Sequence, residues 1–372
     1  MKITAAVTEA EGAPFALQEL DVGDLRPDEV LVRVVAAGIC HTDLIVRDQW
    51  YPVPLPAVLG HEGAGIVERV GDAVRSCAVG DRVGMTFDSC GRCRSCATGR
   101  PSYCHGFFER NFLTRRPADG STVLSRRGEP IGAHYFGQSS FATHAVAGER
   151  NVVRIDGPIP LEVAAPFGCG IQTGAGAVLN TLRAPAGSSI AIFGSGAVGL
   201  AALMGAVVAG CQSIIAVDVN AERLELAREL GATLIVDAGT GDAAERIVAA
   251  TAGGVDYSLE TSGRPEVLRQ AVDCLAPTGT CGVIGAPRFG AEVTLDVNTI
   301  LTGGRTVRGI VEGDSVPSVF LPTLVRLWEA GRFPADRLIT TYDLDQIDEA
   351  AQDAEAGRTI KPVLMVDAPG QR

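Results

Sequence analysis

Apolar and polar positions alternate in short runs over the first 160 residues, and Gly and Pro break the runs apart. Stretches 30–35, 65–70 and 81–85 carry the two-residue period of half-buried strands, and helical periodicity is scarce. Residues 106–140 hold two arginine pairs, Arg115-Arg116 and Arg126-Arg127, and read as long surface loops. The texture changes after about Leu161. Strands are expected at 190–193, 213–217, 234–236, 255–260 and 280–284, with helices at 197–209, 221–230, 242–250 and 265–275 between them. Asn220 is placed to cap the second helix and Gly231 to end it. Strand–helix alternation of this kind predicts a parallel sheet covered by helices on both faces. Amphipathic helices near 316–330 and 346–356 follow, and no repeat or low-complexity tail is present.

From Ala184 to Val217 the chain has no charged residue. A hydropathy window flags such a stretch as membrane-spanning. Its six glycines argue instead for strand, tight turn, helix and strand, since the strands of a buried parallel sheet need uninterrupted apolar runs. Apolar residues are 46% of the 372 and charged residues 20%, enough for two or three domains with large cores. Aromatics are only 5%, so the core is mainly aliphatic. The net charge of −12 opposes binding to nucleic acid or an anionic membrane. The N-terminus lacks the apolar segment of a secretory signal, and ten cysteines then suggest thiols and metal. A cytoplasmic location is expected.

One constellation reads as a nucleotide site. Gly194-Ser-Gly196-Ala-Val-Gly199 follows the strand at 190–193 and opens the helix at 197–209. Gly194 permits the tight turn, Gly196 lets the backbone approach a pyrophosphate, and Gly199 lets helix and strand pack closely. Asp218 ends the next strand, where its carboxylate can accept from the ribose hydroxyls and repel a 2′-phosphate. No basic residue follows until Arg223, which favours NAD over NADP.

Cysteine and histidine spacing suggests two metal sites. Cys90, Cys93, Cys96 and Cys104 place four thiols within 15 residues, the closed set of a structural zinc. The seven-residue gap departs from ferredoxin spacing, which disfavours an iron–sulfur cluster. All five histidines lie at or before His144. Cys40-His41-Thr42-Asp43, Gly60-His61-Glu62-Gly63 and Gly168-Cys169-Gly170 offer one imidazole and two thiols, a three-ligand set with an open fourth position. Spacing alone leaves this set undecided, because isolated cysteines are commonly buried as small hydrophobes. Cys77, Cys211, Cys274 and Cys281 are read that way. The Arg92, Arg94 and Arg100 cluster reads as a solvated face.

Together these motifs resemble the zinc-dependent medium-chain alcohol dehydrogenases over essentially the whole chain. Phrases at 47–56, 136–142 and 308–313 resemble the bacterial aryl-alcohol (benzyl alcohol) dehydrogenases. The resemblance implies an α/β architecture with a GroES-like catalytic domain at 1–165, carrying a zinc lobe at about 88–106. A Rossmann domain with a doubly wound parallel sheet would follow at 166–310, and a return to the first domain at 311–372. It implies a catalytic zinc on Cys40, His61 and Cys169, with Glu62 able to approach the metal and Asp43 accepting from His61 to fix its tautomer. Thr42 would take the hydroxyl proton of an alcohol oxidised by NAD. His41 and Lys361 would lie by the coenzyme phosphates, Thr173 and Val198 behind the nicotinamide, Ile284 along the coenzyme and Arg223 beside the adenosine. Trp50, Tyr51 and Phe87 would line the substrate pocket. Homodimers or homotetramers are implied, pairing along the edge near 305–311. The chain departs from the liver-type pattern at Ile45, where many members carry a proton-relaying His. A terpenoid allylic alcohol or a thiol–formaldehyde adduct is the alternative substrate, and a non-catalytic nucleotide-binding protein the alternative class.

Overall fold

The aliphatic runs of the N-terminal part pair into two sheets in the computed structural model, which describes residues 1–366. One has five strands in the order Ala57–Val58, Lys2–Thr8, Ala16–Val22, Leu124–Arg126 and Glu129–Ile131. The other has seven. Val152–Arg154, Arg82–Met85, Gly63–Val70, Glu29–Gly38, Lys361–Met365 and Ile339–Asp343 are neighbours in that order, and His144–Gly148 also pairs with Glu29–Gly38. Their inward side chains, among them Val30, Val32, Val67, Val83 and Val146, share one buried cluster, which Phe141 joins from the segment before His144–Gly148. The C-terminal strands thus complete the N-terminal sheet, and residues 1–169, 316–330 and 335–366 form one compact unit.

Gly170–Ser315 and Gly331–Pro334 form the second unit. Its six strands are all parallel, in the order Leu234–Asp237, Ser213–Asp218, Ser189–Phe193, Val255–Glu260, Leu275–Val283, Thr306–Gly309. Strand order reverses at Ser189–Phe193, the switch point of a doubly wound sheet. The helix Ala197–Ala209 runs between the predicted residues, and eight of its thirteen residues are buried, as the charge-free sequence requires. Asn220 caps Ala221–Glu229 by accepting from the N–H groups of Glu222 and Arg223. The unit boundaries fall a few residues beyond the expected 165/166 and 310/311, because the chain crosses between units only after Cys169 and after Ser315. Among the described residues no helix is long and apolar enough to cross a membrane.

Two expectations fail locally. Residues 106–140 are not merely surface loop. They include the helix Phe107–Phe112, and Phe112, Tyr135 and Phe136 are buried. Arg116 is also buried, its guanidinium forked onto Glu29 at 2.6 Å through both Nε and Nη2. The second is the helix His41–Arg47, which sequence periodicity missed because it spans only seven residues.

Candidate metal centre and active site

Cys40 lies two residues past the strand Glu29–Gly38 and precedes the helix His41–Arg47 as its N-cap. Asp43, in that helix's first turn, is fully buried and organises the site. Its Oδ2 accepts from Cys40 N at 2.9 Å, and its Oδ1 accepts from Gly60 N at 3.1 Å and lies 2.8 Å from His61 Nδ1. With Nδ1 engaged there, His61 Nε2 is the free atom of the ring, and it is buried without a partner. Burial alone would lower the imidazole pKa, but Asp43 and Cys40 hold it well above the ordinary value. Cys40, for its part, is drawn well below the ordinary thiol range by a hydrogen bond with Cys169, against its burial and with help from His61.

Donor atoms of Cys40, His61, Glu62 and Cys169 all lie within 4.8 Å of one another. Two thiols, an orphaned imidazole nitrogen and a carboxylate are a donor set that fits zinc, and the unpartnered His61 Nε2 is the atom a metal would satisfy. Thr42 Oγ1 is 3.7 Å from Cys40 Sγ. A second group, Cys90, Cys93, Cys96 and Cys104, meets the same distance criterion. Cys93 Sγ and Cys96 Sγ are 3.5 Å apart, and N–H groups of Cys93 and Cys90 donate to Cys90 Sγ and Cys104 Sγ. Backbone donors at Cys96 and His105 lower the Cys93 thiol to about 6, whereas burial raises Cys96 and Cys104, and it is the four converging thiols that suit a cation.

Lys361, expected at the coenzyme phosphates, is 3% exposed, and its Nζ donates to both Glu62 oxygens, at 3.0 and 2.9 Å, and to Ile39 O. Burial raises the Glu62 carboxyl against the pull of Lys361. Nothing in its local sequence pointed to this pair, because its partners lie about 300 residues away.

Aromatic side chains surround the imidazole. Phe136 stacks on His61 with centroids 4.4 Å apart, and Tyr135 meets it edge-on at 5.5 Å. Phe107 and Phe112 pack on Phe136 in turn. Of the expected pocket residues, Phe87 is buried against Phe107, Tyr51 packs edge-on against Phe112, and Trp50 is half-buried. Phe136 falls within the phrase at 136–142, and nothing in that local sequence points to its stacking on His61.

The second unit carries the nucleotide residues. Gly194 has φ +98°, and a Cβ on Gly199 would collide with the Gly194 carbonyl. Gly196 faces open space, where a ligand can meet the backbone at the start of Ala197–Ala209. Asp218 ends its strand, with Oδ1 accepting from Val219 N and Asn220 N and Oδ2 from Ser195 N. Arg223 sits in the first turn of the following helix, Val198 in the helix after the glycine turn, and Ile284 just past Leu275–Val283. Thr173 is buried, with its hydroxyl 3.4 Å from Glu312. His41 is exposed. Of the four cysteines read as small hydrophobes, Cys274 and Cys281 are buried and Cys77 and Cys211 only partly so.

The alcohol dehydrogenase GroES-like domain family matches residues 26–157, and the zinc-binding dehydrogenase family residues 197–329. The geraniol dehydrogenase of Castellaniella defragrans is 47% identical over 362 residues, 97% of each chain. The chain belongs to the zinc-dependent medium-chain alcohol dehydrogenases. Its GroES-like and Rossmann units are those of the family, as is its use of zinc. The solved benzyl alcohol dehydrogenase of Acinetobacter calcoaceticus superposes with TM-score 0.96 at 48% identity, covering 99% of this chain and 100% of that one. An alcohol dehydrogenase zinc-binding domain protein of Burkholderia ambifaria superposes with TM-score 0.97 at 54% identity, with the same coverage.

Proposed function

We propose that this alcohol dehydrogenase oxidises a primary aromatic alcohol of the benzyl type to its aldehyde, reversibly, with NAD. The observation that carries the substrate class is the aromatic wall formed by Phe136, Phe107 and Phe112 beside His61. Rings prefer edge-on and offset partners, so a flat substrate gains there over an aliphatic one. The likeness to benzyl alcohol dehydrogenase supports it. A second reading, a terpenoid allylic alcohol, is favoured by the 47% identity to geraniol dehydrogenase.

Cys40, His61 and Cys169 would hold the catalytic zinc and Cys90, Cys93, Cys96 and Cys104 a structural one. When bound, the metal supplies Lewis-acid polarisation of a substrate oxygen and the coenzyme accepts the hydride. The chain's own part is positioning. Asp43 fixes the His61 tautomer and tethers Cys40 through its backbone N–H. Lys361 holds Glu62 at the donor set. Thr42, beside Cys40, is the first acceptor for the hydroxyl proton. Asp218 favours a coenzyme with a free 2′-hydroxyl. Ten unpaired cysteines suit a reducing compartment, and we place the protein in the cytoplasm. The exposed edge strand Thr306–Gly309 is the surface through which copies would pair.

The deciding experiment measures reduced coenzyme formation from benzyl alcohol, cinnamyl alcohol, geraniol, ethanol and S-hydroxymethylglutathione, with NAD and with NADP. Benzyl alcohol with NAD is expected to give the highest kcat/KM. Geraniol well above benzyl alcohol would establish the second reading, and equal values for ethanol would remove the aromatic assignment.

A further inference from the structure

Away from the catalytic donor set, the first unit holds a cleft of about 550 Å³ beside the four-cysteine lobe. Small-molecule sites fall in the range of ~300–1,000 Å³. Five arginines line it: Arg26, Arg92, Arg110, Arg116 and Arg150. Three are occupied. Arg116 is forked onto Glu29, Arg110 pairs with Asp88 at 2.8 Å, and Arg26 pairs with Asp119. Glu149, on the wall, accepts from the N–H groups of Arg75 and Ser76, and Asp28 is exposed at the rim. Arg92 and Arg150 are exposed, and neither has a carboxylate within ion-pair distance among the described residues. The Arg150 guanidinium lies over Gly91, in the space that a side chain there would fill.

His134 also lines the cleft. It is 6% exposed, and its Nε2 is buried with no hydrogen-bond partner. Burial, helped by Arg116 and Arg26, lowers its pKa to about 4, so the ring is neutral and leaves a polar atom to be satisfied. The surrounding sequence is biased in the same direction. Residues 90–127 contain eight arginines against Glu109 and Asp119, in a chain whose net charge is −12. Arginine forks match carboxylate and phosphate oxygens, and against the four carboxylates of the lining, Asp28, Glu29, Asp88 and Glu149, it is Arg92 and Arg150 that are left without an ion-pair partner.

We propose that this cleft binds a small multivalent oxyanion, one bearing carboxylate or phosphate groups, between Arg92 and Arg150 with His134 Nε2 beneath it. The test uses the zinc-loaded protein with saturating coenzyme, so that the coenzyme's phosphate site is filled. Inorganic phosphate and tricarballylate are titrated separately by thermal shift and calorimetry, against chloride at matched ionic strength. Zinc content and sedimentation are followed in the same samples. A saturable rise in Tm is expected with at least one probe, and which probe binds tighter distinguishes the two sources. Arg92→Ala with Arg150→Ala should weaken that binding at least tenfold without changing alcohol oxidation, and His134→Phe should weaken it separately. Equal binding by the double variant, a response matched by chloride, or a shift explained by altered oligomeric state would each overturn the proposal.

Discussion

At the scale of single residues, burial decides what a polar group can do. His134 shows this in its pH dependence. Its pKa is about 4 in the folded chain and ~6.5 unfolded, so between those values the unfolded chain binds a proton that the folded one refuses. Its stability contribution is therefore complete above ~6.5 and falls as pH drops toward 4, by roughly 3 kcal/mol at the limit. His134→Phe should flatten the fall in urea-unfolding free energy between pH 7 and 4.5, and an unchanged slope would contradict this. Burial bears on the proton path as well. Ile45, at the place where many liver-type members carry a relaying His, is 2% exposed. A His introduced there would cost stability rather than speed the reaction. Thr42 remains, half-buried next to Cys40. Positioned proton transfer is worth ~10²–10⁴-fold, so Thr42→Ala should lower kcat/KM by about that factor with zinc content unchanged. Near wild-type turnover would send the proton by another route.

At the scale of elements, the Glu29–Arg116 pair ties the start of a central strand to the 114–121 loop. Burial pushes the Glu29 carboxyl up, and the Arg116 fork and the Arg26 N–H pull it lower, to a net value below the ordinary one. Arg116→Ala would strand a buried carboxylate, and such losses run to ~3–5 kcal/mol. The double variant Glu29→Gln with Arg116→Ala should recover part of that in urea unfolding. A strictly additive double variant would mean that the two side chains are not coupled. The same pair shows where the sequence was silent. Long aliphatic elements were legible: Ala197–Ala209 and Val255–Glu260 were read to the residue, because period and glycine boundaries agree there. The metal donors were legible from residue type and spacing, and the resemblance joined them. The helix Phe107–Phe112 is too short to show a period, and Arg115-Arg116 has the composition of a surface loop. What buries Arg116 is Glu29, 87 positions away. Lys361 escaped for the same reason: a local pattern cannot reveal a partner supplied by topology.

At the scale of the whole molecule, the two donor sets differ in what surrounds them, and their removal should differ accordingly. The four-cysteine lobe has almost no apolar support. Residues 90–100 contain no buried position, the helix Arg94–Ala97 buries nothing, and of the four cysteines only Cys104 is buried. Such a segment has to be held by its metal, and structural zinc contributes ~10–16 kcal/mol in small peptides at neutral pH. The catalytic set is built otherwise. Leu44, Ile45 and Val46 anchor the helix after Cys40 in the core, and His61 and Glu62 are fully buried with Asp43 and Lys361 as partners. The scaffold there stands on its own packing. Elemental analysis of the purified protein should therefore find two zinc ions per chain. Cys93→Ser should carry one and lose Tm markedly, with proteolytic cleavage beginning in the lobe. Cys40→Ser should also carry one, keep most of its Tm, and have no alcohol oxidation. A single zinc in the wild-type protein would remove one of the two sites, and a Cys40→Ser variant as unstable as Cys93→Ser would show that the catalytic metal also holds the fold.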